Sequence, residues 1–193
     1  MSTPNALNQV ASLTNQFLIA MPNLQDPNFE HAVAYVCEHN AQGAMGIIIN
    51  RPMKTQLGEV FMHMGIESVA AHINEQPVFE GGPVQPERGF VIHLPAGEWE
   101  SSLTISEDIA VATSTDILTA MANHQGPENA LVALGYAGWG AGQLEDEILD
   151  NAWLHGPSSS DVLFRVPSEQ RWAAAAALLG VDLNLISSQT GHA

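Results

Sequence analysis

The chain has 193 residues and carries 5 Lys+Arg against 21 Asp+Glu, a formal net charge of −16. Affinity for nucleic acid grows with the number of phosphates a protein neutralises, so this balance argues against direct DNA binding. Hydrophobic residues at 46% with charged residues at only 13% exclude a disordered acidic chain. Residues 1–193 are expected to form one domain. Its low charge implies a surface wetted by uncharged polar groups or partly covered by a partner. No Lys or Arg precedes Arg51, so the basic start of a secretory signal is missing and a cytoplasmic location is expected. The alanine-leucine run from Ala173 to Leu179 is far shorter than a membrane span, so no membrane association is expected. Cys37 is alone, which fits a reducing compartment and leaves no cysteine pair for zinc.

Residues 1–15 are polar and predict poor order or a short helix. Phe17 to Met21 then reads as a buried strand halted by Pro22. Ala32 to Cys37 and Met45 to Ile49 predict a hairpin, with Gly43 in its turn. Leu57, Val60, Phe61 and Met64 recur at i, i+3, i+4 and i+7, one stripe of a short helix ended by Gly65. Val78 to Glu80, Phe90 to Leu94 and Ile109 to Ala112 are strand candidates. Ser114 or Thr115 caps a helix carrying Ile117, Leu118 and Met121, and Ala130 to Leu134 returns as a strand.

Gly135 to Gly142 reads as a glycine-dense turn leading into an acidic helix from Gln143 to about Asn151. Val162 to Phe164 is expected as a strand, Ser168 to Gly180 as a helix, and Val181 to Ile186 as a final strand. Irregular mixing of the two patterns predicts an α+β fold, a single compact domain with a coiled, largely β core and a few flanking helices.

Nucleophile-elbow, phosphate-loop, zinc-protease and EF-hand signatures are absent. Gly138-x-Gly140-x-Gly142 could aim N–H groups at an anion, yet Glu145, Asp146, Glu147 and Asp150 follow at once and would repel it. Cys37-Glu38-His39 places a thiol and an imidazole at i and i+2, one face of a strand, as a Cys–His pair requires; the blander reading is a buried cysteine. The eight histidines show no metal-ligand spacing. His93 lies within an apolar strand and is read as a paired core histidine. Arg51 ends the most apolar strand, where it could grip an anion or, as the simpler reading, make a structural salt bridge.

On the acidic helix, at about 100° per residue from Leu144, Ile148 falls at about 40°, Glu145 at about 100° and Leu149 at about 140°. Glu145 therefore sits inside an apolar arc and needs pairing, to Arg51 or a histidine, while Asp146, Glu147 and Asp150 face solvent.

The order and spacing of Phe17-Leu18-Ile19-Ala20-Met21-Pro22 followed by Asp26 and Phe29, Glu38-His39, Gly43-Ala44-Met45-Gly46, Asn50-Arg51-Pro52, Gly81-Gly82-Pro83-Val84, Gly89-Phe90-Val91-Ile92-His93, Leu134-Gly135-Tyr136-Ala137-Gly138-Trp139, Gly142-Gln143-Leu144-Glu145 and Asn151-Ala152-Trp153-Leu154 resemble the AlgH/YqgE family of bacterial proteins. The resemblance runs from Phe17 to Ala193, and His31 departs from it, since the family more often has a basic residue there. It implies a compact α+β domain with a coiled central sheet and a link to transcriptional control of alginate production in pseudomonads; the family's molecular activity is not established. His39, Asn50, Arg51, His93, Trp139, Gln143 and Glu145 are the motif positions capable of chemistry, and no catalytic role comes with them.

Two functions follow as expectations. The first is a cytoplasmic regulatory or interaction protein without catalysis or cofactor, acting through a protein partner or small ligand rather than on DNA. The alternative is a small-molecule-binding protein or hydrolase, in which Arg51 grips an anion, His39 or His93 transfers a proton and Trp139 walls the pocket.

Overall fold

A computed structural model describes residues 11–189. In chain order the elements are β1 (Gln16–Ala20), β2 (Val33–Asn40), β3 (Gly43–Ile48), β4 (Pro52–Gln56), α1 (Leu57–His63), α2 (Ala71–Asn74), β5 (Pro77–Glu80), β6 (Val84–Leu94), β7 (Ser102–Thr104), β8 (Ala110–Ala112), α3 (Thr115–Ala122), β9 (Asn129–Gly140), α4 (Gln143–Leu149), β10 (Trp153–Pro157), α5 (Ser160–Phe164), a 3-10 turn (Ser168–Gln170), α6 (Arg171–Ala177) and α7 (Leu183–Gln189). The strands make one ten-stranded sheet in the order β10-β1-β2-β3-β9-β6-β8-β7, with β5 alongside β9 and β4 alongside β5. Every pairing is antiparallel except β5 with β9. The architecture is α+β, a curled antiparallel half-barrel with helices packed against it.

The near-continuous apolar runs follow from burial on both faces of the sheet. Val33, Tyr35 and Cys37 of β2 face one core cluster, while Ala34 and Val36 face another. Phe90 and Ile92 of β6 join the first cluster, and Val91 between them joins a third with α1 and α3. Residues as far apart in the sheet as Phe17 and Val111 share the first cluster, so it lies on the concave side. Val162 and Leu163 of α5, Ala175 and Ala176 of α6 and Leu183 of α7 plug that concavity. The second cluster is roofed by α4 through Leu144 and by Trp139 and Trp153.

Three expectations change. Most of the glycine-dense segment is strand: Gly135 to Gly140 completes β9, and the turn is confined to Ala141 and Gly142. Glycine serves close backbone approach rather than turning. A Cβ on Gly43 would stand 2.2 Å from the Trp139 carbonyl oxygen, and one on Gly135, at φ +76°, 2.4 Å from that of Gly82. Val162 to Phe164 belongs to helix α5, because the Ser159 hydroxyl accepts the Val162 N–H at 3.4 Å. Leu183 to Ile186 is likewise helical, entered where the Asp182 carboxylate accepts the Asn184 N–H at 2.9 Å. Strands β4, β7 and β10, short or polar, carried no recognisable alternation.

The 1–15 segment falls partly outside the described residues. Residues 11–15 are docked: Leu13 is buried, and Asn15 Oδ1 accepts the Tyr35 hydroxyl at 2.7 Å. Among the described residues no helix is long and apolar enough to cross a membrane.

Candidate functional site

The residues singled out by sequence fall into three separate networks. His39, Trp139, Gln143 and Glu145 gather where β9 hands over to α4. A register shift in β2, between Val36 opposite Gly46 and Glu38 opposite Met45, makes Cys37 an extra bulged residue. The bulge turns His39 to the face of its partner Ala44, against the second cluster, while Cys37 stays with the first. The Cys–His alternative is therefore split across the sheet, and Cys37 is the buried cysteine of the simpler reading. Cys37 donates to the Tyr35 carbonyl at 3.6 Å, and burial, reinforced by Glu38, pushes its thiol up to about 12.

His39 is bonded at both ring nitrogens. Nδ1 accepts the Leu13 backbone N–H at 2.9 Å, which places the ring proton on Nε2, and Nε2 donates to Glu145 Oε1 at 2.7 Å. This is the pairing expected of Glu145, made with a histidine rather than with Arg51, as a hydrogen bond from the imidazole to the carboxylate. Backbone hydrogen bonding at the start of α4, then the bond from His39, hold the Glu145 carboxyl below its ordinary value. Gln143 Oε1 accepts the Gly140 N–H at 2.9 Å. The Trp139 ring stacks on Phe29 at 6.1 Å and meets Trp153 edge-on at 5.9 Å.

Glu147 departs from its expected place in solvent. Leu149 is 79% exposed, so the buried arc of α4 runs through Leu144 and Ile148 towards Glu147 instead. Oε2 of Glu147 is buried without a partner. Burial raises its pKa, opposed by the Trp139 indole and reinforced by Asp26.

Asn50 and Arg51 form the second network. Asn50 Oδ1 accepts the Val33 N–H at 2.9 Å, and its amide donates to the His31 carbonyl at 2.8 Å. Arg51 donates to the Asn28 carbonyl through Nη1 and to the Glu30 carbonyl through Nη2, the latter at 2.8 Å. Arg51 thus clips the β1–β2 loop through carbonyl oxygens, not through the carboxylate that the salt-bridge reading supposed.

His93 stands apart. Its Nδ1 donates to the Pro95 carbonyl at 2.9 Å, and burial lowers its pKa. Its Nε2 lacks a partner, as does the indole nitrogen of Trp99, whose ring lies edge-on at 6.3 Å.

A further recess is lined by Trp139 and by none of the other polar candidates. Beyond the helical plug, the mouth of the half-barrel opens into a cleft of about 750 Å³ floored by Cys37, Met45, Phe90, Val111 and Tyr136. Glu38, Arg88, Ser101 and Thr113 stand around it. Arg88 lies 5.3 Å over the Phe90 ring, which Tyr136 meets edge-on at 5.8 Å. Sequence reasoning missed this group, because nothing in the spacing of an isolated arginine and tyrosine marks them as neighbours. It also missed Arg171, 7% exposed, which donates to the Ile49 carbonyl and, at 2.9 Å, to that of Val166, with its guanidinium 5.1 Å over Phe79. Among the described residues no cluster of three or more His, Cys, Asp or Glu could hold a metal.

The family model described as AlgH-like matches residues 17–184. The chain belongs to the AlgH-like family. A UPF0301 protein of Thioalkalivibrio sulfidiphilus is 64% identical over 183 residues, covering 95% of this chain and 98% of that one. Another from Methylococcus capsulatus is 54% identical over 180 residues, 93% and 96% of the two chains. The solution structure of the AlgH protein from Pseudomonas aeruginosa superposes with a TM-score of 0.77 at 46% identity, covering 100% of this chain and 99% of its own. A Corynebacterium diphtheriae crystal structure shares the fold, at TM-score 0.70 and 17% identity over 89% of each chain. Membership leaves the biochemical activity open, since these relatives are named by family alone.

Proposed function

We propose that this AlgH-like protein is a cytoplasmic, non-catalytic regulatory module that acts by binding, with the half-barrel mouth as its binding site. The observation that carries this reading is the bonding of His39. A general base needs a free ring nitrogen within reach of substrate, and both nitrogens of His39 are engaged, one by a backbone N–H. Arg51, the alternative's anion grip, has two guanidinium nitrogens on loop carbonyls, and the Cys37 thiol is held protonated. His39, Asn50, Arg51, Gln143 and Glu145 therefore hold the frame, while the mouth joins an apolar floor to a polar rim that includes Glu38, Arg88 and Thr113. Regulation of transcription, where it occurs, runs through a protein partner or small ligand, because a chain of charge −16 repels the operator.

The experiment is a melting-temperature screen of purified protein against metabolites, nucleotides and peptides, run beside a turnover screen. A ligand that binds only the native state raises the melting temperature. Hits abolished by Arg88→Ala and retained by His39→Phe are expected, with no turnover. Turnover lost in His39→Phe, or gel-shift binding to DNA that saturates specifically and weakens with salt, overturns the reading.

A further inference from the structure

β7 is the last strand of the sheet, with β8 as its single neighbour. Its register runs without interruption through Ser102 opposite Ala112, Leu103 opposite Val111 and Thr104 opposite Ala110. Just outside these pairs, Thr113 N–H bonds the Ser101 carbonyl at 2.9 Å and Ile105 N–H bonds the Ile109 carbonyl at 2.9 Å. In an antiparallel ladder the residues that exchange hydrogen bonds with the neighbour alternate with those that do not. Ser101, Leu103 and Ile105 are therefore bonded towards β8. The N–H and C=O groups of Ser102 and Thr104 point the other way, off the edge of the sheet, and all three β7 residues are exposed.

An open edge is ordinarily blunted by lysine, proline, a bulge or a covering element. β7 has no lysine, no proline and no bulge. What flanks it is acid: Glu98, Glu100, Glu107 and Asp108 are all exposed, and no Lys or Arg occurs between Arg88 and Arg165. The edge also borders the cleft, through Ser101, Ser102 and Leu103. Leu103 shares the face of its partner Val111, a member of the first cluster, so side chains on that face of an added strand look into the mouth.

From this juxtaposition we propose that β7 receives an extended, basic segment of a partner protein as a further strand. Backbone bonds to Ser102 and Thr104 hold the segment, alternate apolar side chains enter the cleft over Leu103 and Phe90, and its cations meet the four flanking acids. A second copy of this chain does not suit the edge, because two chains of charge −16 would bring like-charged rims together. The proposal rests on the binding reading above and names the kind of partner.

The test titrates full-length protein with an acetylated, amidated Lys-Val-Lys-Val-Lys-Val-Lys peptide, following amide resonances and hydrogen exchange. The Ser102 and Thr104 amides should gain protection, and binding should weaken with added salt. A Glu-Val peptide of the same pattern should not bind. Methylating alternate peptide nitrogens, which removes the edge hydrogen bonds while leaving the protein untouched, should raise Kd at least tenfold. Ser102→Pro with Thr104→Pro should do the same, since proline is tolerated on an edge strand where its N–H would face outward. Failure of the basic peptide to bind, affinity unchanged by N-methylation, equal binding of the acidic peptide, or dimerisation through β7 that excludes the peptide each overturns strand addition. The module reading is judged separately, by whether any ligand moves the resonances of Phe90 and Tyr136.

Discussion

The region around α4 and the end of β3, and the mouth of the half-barrel, use the same kinds of polar side chain to opposite ends. In the first, His39, Glu145, Gln143, Asn50 and Arg51 each bond a backbone group or one another, so their polarity is satisfied internally and anchors loops. In the second, Arg88 has a single side-chain hydrogen bond, a long one to Gln85 at 3.4 Å, and Ser101 bonds only its neighbours Thr113 and Ser114. Residue types that look chemical along the chain are structural when their atoms are already bonded. Availability at a recess, rather than residue identity, separates a site from a frame.

The sharpest way to break this contrast is His39→Ala. It leaves the Leu13 N–H and the Glu145 carboxylate without their partner, and a loss of about 2–4 kcal/mol is expected in urea unfolding, with binding at the mouth retained. Loss of binding with stability unchanged would reverse the two regions' roles. Arg51→Ala should cost about 1–2 kcal/mol by freeing the carbonyls of Asn28 and Glu30, and should speed proteolysis within residues 22–31.

Glu147→Gln sharpens the comparison through pH. Because burial raises the folded-state pKa of Glu147, the wild type carries a destabilising charge at neutral pH that disappears as pH falls through the folded and then the unfolded pKa. The variant is expected to be more stable than the wild type at pH 7, with a higher urea midpoint, and the gain should vanish in acid. Glu145 has the opposite sign: its lowered pKa contributes stability above the unfolded value, lost as pH falls through the folded one, so Glu145→Gln should flatten the acid limb of the stability curve. Smallest in stability is Arg88→Ala, within about 0.5 kcal/mol, yet it is expected to abolish binding at the mouth.

Much of the frame was legible because periodicity encodes burial. The β2–β3 hairpin, the stripe of α1, the helix that starts after Ser114 and the need of Glu145 for a partner all follow from local spacing. Errors arose where a distant contact overrode the local signal. Leu149 looked apolar enough to set the inner face of α4, but packing under Trp139 and Trp153 turned Glu147 inward instead. One bulged residue at Cys37 sent His39 to the opposite face from the one alternation gives.

By itself, then, the sequence determined the α+β class, the acidic surface and the motif positions that place the chain in its family, since composition and short-range periodicity act within a few residues. Only the tertiary structure decided that the glycine-rich stretch is a central strand, which histidine meets Glu145, and that Arg88, Phe90, Tyr136 and Thr113 share one mouth beside an open edge. Those outcomes depend on pairings between residues far apart in the chain. A curled sheet fixes them by register and closure, which no local pattern records.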